Sequence, residues 1–110
     1  MKQIQRKNLP HTATYKAYTG NSGEEDTYDT PIPLNYVKIE EKTQYKYTNN
    51  GKEIVGNALM FYDYVNSTGL SDKPKNESII TFNGRDYHVV DTEILCGNSS
   101  IPHHYEVMLK

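Results

Sequence analysis

The sequence predicts an all-β fold, a small antiparallel β-barrel or curled meander of about six strands with two long loops. Three observations carry this reading. Apolar residues alternate with a period of two, as in strands with one buried face, and no segment sustains a helical period. Two Asn-Gly dipeptides, Asn50-Gly51 and Asn83-Gly84, punctuate alternating runs and are strong hairpin signals. Ten tyrosines and no tryptophan supply apolar rings with polar tips, which suits strands that are buried on one side and wet or partner-facing on the other.

Strands are expected at about His11–Thr19, Leu34–Thr48, Glu53–Val65, Glu77–Phe82, Arg85–Leu95 and His103–Lys110. In the first hairpin, a type I′ turn on Asn50-Gly51 would set Asn49 opposite Lys52. Tyr47 then faces Ile54, Tyr45 covers Gly56, Ile39 faces Tyr62, Val37 faces Tyr64, and Lys38 opposes Asp63. Glu41 falls on the apolar face in that register, which predicts a β-bulge near Glu40-Glu41. The second hairpin turns on Asn83-Gly84 with Ile80 opposite Tyr87. A link from Gly97 to Pro102 leads to the last strand, where Tyr105, Val107 and Leu109 alternate with His104, Glu106, Met108 and Lys110.

The 110 residues give room for one domain, so 1–110 is read as a single barrel domain with a flexible N-terminus over 1–10. Hydrophobic residues make up 35% of the chain and mean hydropathy is −0.80. The core is therefore expected to be thin, with further stability coming from assembly. A net charge of −2, with basic residues scattered among acids, argues against a nucleic-acid footprint. No apolar run reaches the length of a membrane span, and the opening residues lack the apolar stretch of a secretory signal. The Asn-x-Ser/Thr triplets at Asn66, Asn76 and Asn98 are accordingly read as chance, and the chain as cytosolic when made.

No catalytic, cofactor or metal site is expected. His103-His104 lies near Cys96 in sequence, but neighbours in a strand point to opposite faces, and a lone cysteine is more often a small buried hydrophobe. The acids Glu24, Glu25, Asp26 and Asp29 lack the ligand alternation and central glycine of a calcium loop. Phosphate loops, nucleophile elbows and zinc-protease motifs are absent.

Leu59, Phe61 and Val65 are the informative oddity. They project opposite Ile54, Ala58, Met60, Tyr62 and Tyr64, so this strand is apolar on both sides. Either the chain covers the outer side itself or a second subunit does, and a subunit interface is the preferred reading. Two long loops stand out: Gly20–Pro33, carrying Glu24, Glu25, Asp26 and Asp29, and Asn66–Asn76, carrying Leu70, Lys73 and Lys75. Their composition predicts mobility in the free subunit and order in an assembly, as loops that meet a partner or line a channel.

The run Gly51-Lys52-Glu53-Ile54-Val55-Gly56-Asn57-Ala58-Leu59-Met60-Phe61 is followed by the hairpin Ser78–Val89 with its Phe82-Asn83-Gly84-Arg85-Asp86-Tyr87 centre. The chain ends His103-His104-Tyr105-Glu106-Val107-Met108-Leu109-Lys110. Over about residues 34–110 this resembles the small minor capsid proteins encoded in the head-to-tail gene cluster of tailed phages and prophages of Gram-positive bacteria. These are in turn similar to head-closure, or stopper, proteins. The N-terminal third carries no matching motif.

The resemblance implies a virion structural protein without enzymatic activity, held in the bacterial host cytoplasm before assembly. It would join or close the head below the portal as a self-associated ring. Its partners would be the portal or adaptor ring and tail components, with no membrane, and with DNA passing nearby without sequence-specific binding. An acidic balance suits that conduit, because like charge keeps moving DNA from sticking. A tail-completion position is a variant of the same reading. A small OB-like barrel binding nucleic acid or another polymer is the alternative from a different class, with tyrosines stacking on bases and no basic stripe to support it.

Overall fold

The computed structural model describes residues 4–96 and 102–110. After a 3₁₀ turn at Arg6–Asn8, the strands are β1 (His11–Lys16), β2 (Tyr18–Asn21), β3 (Asp26–Tyr28), β4 (Ile32–Thr48), β5 (Gly51–Asp63), β6 (Ile79–Phe82), β7 (Arg85–Cys96) and β8 (Pro102–Leu109). Six of them close into an antiparallel barrel in the order β1-β4-β5-β8-β7-β6, while β2 and β3 form a separate two-stranded sheet. The all-β expectation of about six barrel strands is met. The expected link from Gly97 onward, with Asn98, falls on 97–101, outside the described residues.

The barrel is filled rather than hollow. Alternate residues of every strand point inward: Ala13 and Tyr15, Leu34, Val37 and Ile39, Ala58, Met60 and Tyr62, Ile80 and Phe82, Tyr87 and Val89, and Tyr105, Val107 and Leu109 are all buried. Leu34 and Val37 lie three apart, so strict alternation breaks between them. The break is a β-bulge: His11 pairs Val37, yet Ala13 pairs Leu34, and Tyr36 takes a left-handed φ of 57°. An aromatic residue in that region costs about 1–3 kcal/mol. The neighbours hold it there, since Asn35 exchanges both backbone hydrogen bonds with Thr68, and Ser67 Oγ donates to the Tyr36 carbonyl.

The two hairpins differ. At Asn83-Gly84 both residues have positive φ, 51° and 75°, which is a type I′ turn, and Ile80 pairs Tyr87 as expected. At the first hairpin only Gly51 has positive φ (111°), and Thr48 pairs Gly51, so the turn residues are Asn49 and Asn50. That is a turn closed by a left-handed glycine, not a type I′ turn on Asn50-Gly51. The ladder moves by two residues: Tyr47 opposes Lys52, Tyr45 opposes Ile54, Ile39 opposes Met60 and Val37 opposes Tyr62. An even shift leaves every side chain on its expected face while changing every partner. Lys38 therefore opposes Phe61, not Asp63, and makes its ion pair with Glu40 at 2.9 Å. The expected bulge appears just past Glu41, between Glu41 and Tyr45. Glu41 is tolerated because it sits at the barrel rim, with the Tyr87 hydroxyl 3.5 Å from its carboxylate. Gly56 is covered by β8, not by Tyr45: a Cβ there would lie 2.7 Å from Met108 Cγ.

The segment 66–76 packs against the end of the barrel although its composition is poor in apolar groups. Its few apolar groups are used inward, with Pro74 buried and Leu70 against the core. Tyrosine hydroxyls at the barrel end supply the rest: Leu70 N donates to Tyr62 Oη at 3.0 Å, and Lys75 N donates to Tyr15 Oη at 3.0 Å. Ser78, fully buried, accepts from Tyr18 N at 2.9 Å and lies 3.3 Å from Tyr15 Oη. The segment 20–33 is likewise part hairpin, with Asn21 paired to Asp26 and Ser22 N donating to Glu25 O at 2.8 Å.

Two outcomes follow. Gly69 has φ 123°, and a Cβ there would lie 2.3 Å from Pro33 O and 2.6 Å from Leu34 Cδ2. Gly69→Ala should cost roughly 2–4 kcal/mol in urea unfolding; a neutral result would show that this loop is not packed on β4. Burial also raises the phenol pKa values of Tyr62 and Tyr105, whose rings stack at 5.9 Å. The stability they confer is intact below the ordinary tyrosine pKa of about 10 and is lost as pH rises through the higher folded values. The urea midpoint should hold to about pH 9 and fall steeply above pH 10; a flat profile across that range would refute it.

Candidate functional site

The most distinctive surface is an arm. β1 pairs β4 only as far as Val37, and β8 pairs β5 only from Ala58 onward. Between those limits the far ends of β4 and β5, residues 42–57, have only each other as strand partners. Seven or so residues per strand make a ribbon that projects about 20 Å beyond the pairing with the barrel. One face of it carries Tyr45, Tyr47, Lys52 and Ile54, with Tyr47 78% exposed and Tyr45 and Ile54 each about half exposed. The Lys52 ammonium lies 3.9 Å from the centre of the Tyr45 ring. The opposite face is polar, with Lys46 across from Glu53. A two-stranded ribbon is marginal by itself in water.

The residues expected at an interface are placed as follows. Leu59 and Phe61 point outward from β5, as the alternation requires, and both are half-buried. Phe61 lines an open groove of about 240 Å³ together with Ile4, Asn8, Leu9 and Lys38. The Lys38 ammonium is 5.9 Å from its ring, and His104 packs at 6.4 Å. Leu59 lines a smaller cleft of about 130 Å³ with Gln44, Met108 and three acids, Asp91, Glu93 and Glu106. Val65 lies beyond the end of β5 and is 59% exposed. The structure thus sets Leu59 and Phe61 side by side and Val65 apart from them.

Of the N-terminus expected to be flexible over 1–10, residues 4–10 are described, and Ile4, Asn8 and Leu9 lie along the outside of β5. Their anchor is Asp63, wholly buried at the strand end. Its carboxylate accepts hydrogen bonds from Ile4 N at 2.9 Å, Asn66 N at 2.8 Å and Val65 N at 3.1 Å, while Asn66 Nδ2 donates to Ile4 O at 2.8 Å. Leu9 is buried. Sequence reading missed Asp63 as a site of consequence. Its one signal was an acid in the middle of a run that is apolar on both faces.

Of the loop candidates, Glu24, Glu25, Asp26 and Asp29 are exposed on the β2–β3 hairpin. Asp26 accepts from Asn21 Nδ2 at 3.0 Å and Tyr18 Oη at 3.2 Å, and Asp29 N donates to Ala17 O at 2.8 Å. Lys73 and Lys75 are exposed, and Leu70 is half-buried. These two groups belong to different loops and do not form one constellation.

His103 and His104 meet despite being neighbours, with their Nδ1 atoms 2.7 Å apart. Nδ1 lies close to Cβ, so two rings turned toward each other span the pleat. His104 Nε2 is 3.0 Å from Glu106 Oε2 and donates to that carboxylate. Among the described residues no cluster of three or more His, Cys, Asp or Glu could hold a metal ion.

Because Tyr45 and Tyr47 stand on the arm and away from the core, replacing both with alanine should shift thermal stability by no more than about 0.5 kcal/mol each. A cooperative loss of the barrel's near-ultraviolet signal in that variant would show instead that the arm is folded back on the barrel.

The family model of the minor capsid protein family aligns with residues 6–109. Among curated proteins and solved structures no match was found. Because the family match runs through every strand of the barrel and both strands of the arm, the chain belongs to the phage minor capsid protein family and is a structural, virion-associated protein.

Proposed function

We propose that this minor capsid protein is a head–tail connector component that joins or closes the phage head below the portal, acting as a ring of copies. Its neighbours in that position are the portal or adaptor ring on one side and tail components on the other. The observation that carries the reading is the arm. A barrel that satisfies its own strand edges still extends residues 42–57 outward, with Tyr45, Tyr47 and Ile54 on display. An element of that kind gains its stability when a neighbouring protein covers it. The outward Leu59, beside the base of the arm, extends the same contact surface. The net charge of −2 suits a path for DNA, because like charge repels it. In this reading the protein works by binding, not by turnover.

The test is made in particles. Virions assembled with Tyr45→Ala/Tyr47→Ala protein are expected to have filled heads that fail to hold a tail or to retain DNA, and the variant should be missing from purified particles. Electron cryomicroscopy of wild-type virions should place the density at the single head–tail vertex. Copies spread over the capsid shell would overturn the connector reading while leaving the family membership intact.

A further inference from the structure

We propose that the pocket between the N-terminal segment and the start of β4 receives the acidic β2–β3 tip of a second copy of this chain. The proposal rests on the reading of the protein as a self-assembling virion component, and it names the contact. The pocket is a cavity of about 550 Å³ whose lining includes Arg6, Lys7, His11, Thr12, Asn35 and Tyr36, with no carboxylate among the lining residues. Among the described residues neither Arg6 nor Lys7 has an ion-pair partner. Ile39 N donates to His11 Nδ1 at 2.9 Å, which places the proton of the neutral imidazole on Nε2. Arg6 is held in place by stacking, with its guanidinium 4.3 Å from the centre of the Tyr36 ring. That ring stands out at the surface because Tyr36 occupies the left-handed bulge. Backbone strain that serves to present a side chain is a mark of a working site.

The occupant is argued from charge and from position. Glu24 and Glu25 sit at the tip of a two-stranded sheet outside the barrel, exposed and without a cation partner among the described residues. Asn21 and Ser22 hold the tip in shape through Asp26 and Glu25. The pocket is built at the His11 end of β1 and the acidic hairpin leaves from its Lys16 end, about 17 Å along the strand. Each copy therefore presents acid at one end and a cationic recess at the other. Joining such ends is a heterologous contact, which closes into a ring when the rotation between copies allows it.

Charge exchange in the full chain tests this, with self-association followed by sedimentation over a range of concentrations at low salt. Arg6→Glu/Lys7→Glu and Glu24→Lys/Glu25→Lys should each weaken association roughly tenfold or more, and the four-site reversal should restore most of it. Carbodiimide, which joins a carboxylate to an amine at contact distance, should link Glu24 or Glu25 of one copy to Lys7 of another. Failure of the four-site variant to recover, with each half-reversal weakened, overturns the proposal. So does a wild-type chain that neither associates nor cross-links. If pocket reversal abolishes binding of a short DNA duplex while self-association is unchanged, the pocket is a phosphate site and the proposal is wrong. If Tyr45→Ala/Tyr47→Ala alone removes association, assembly runs through the arm; the connector reading then stands and this contact falls.

Discussion

The strand His11–Lys16 gives its backbone to two neighbours at once, pairing with β4 on one side and β6 on the other. Without it the remaining five strands would form an open sheet with two exposed edges, ready to pair with any extended chain. With it the ring closes, and the inward residues of all six strands meet in a single dry interior. Tyr15 shows how much depends on this seam. Its backbone pairs Ile32 and Ile80, its ring is in the core, and its hydroxyl fixes Lys75 N beside Ser78. Closure of the sheet and packing of the long loop are thus one event, and the N-terminal third is what makes both possible.

The same third equips the outside. Immediately before the seam, Ile4–Leu9 lies on the outer face of β5, held by the buried carboxylate of Asp63 and by Leu9. Immediately after it, the chain leaves the barrel for the β2–β3 hairpin. A buried carboxylate that accepts three backbone N–H bonds is satisfied by the two segments it joins, so docking of the N-terminus and the turn after β5 are mutually dependent. The groove beside Phe61 and the position of Arg6 over Tyr36 descend from residues 4–10, which have no recognisable pattern of their own, whereas closure uses the alternating strand His11–Lys16.

What could be read from the sequence was whatever is local. Period-two alternation gave the six barrel strands to within two or three residues at their ends, and Asn83-Gly84 gave its turn position and register. The first hairpin was legible in its faces but not its partners, because Asn49-Asn50-Gly51 offers two turn solutions whose registers differ by an even number. The arm was hidden for a related reason. The pattern of Tyr45, Tyr47 and Ile54 is that of a half-buried strand, and nothing local says that neighbouring strands stop short of it. The loop 66–76 read as mobile because its anchors are hydroxyls of Tyr15 and Tyr62, from strands remote or already spoken for in the core. Asp63 and the pocket at Arg6 depend on contacts across some thirty to sixty positions, beyond the reach of any periodicity.

The filled interior has a consequence for how such a protein could stand in the path of a genome. Met60, Ile80, Val107 and Leu109 occupy the axis of the barrel with no measurable exposure, so a single chain has no bore. In the proposed ring, a polymer would travel beside each barrel, through an opening formed by several copies set around a common axis. The width of that opening is then a property of how many copies meet and at what tilt, while each barrel is a rigid stave. Substitutions in the core would spoil the stave, whereas substitutions on its rims would change the diameter of the hole.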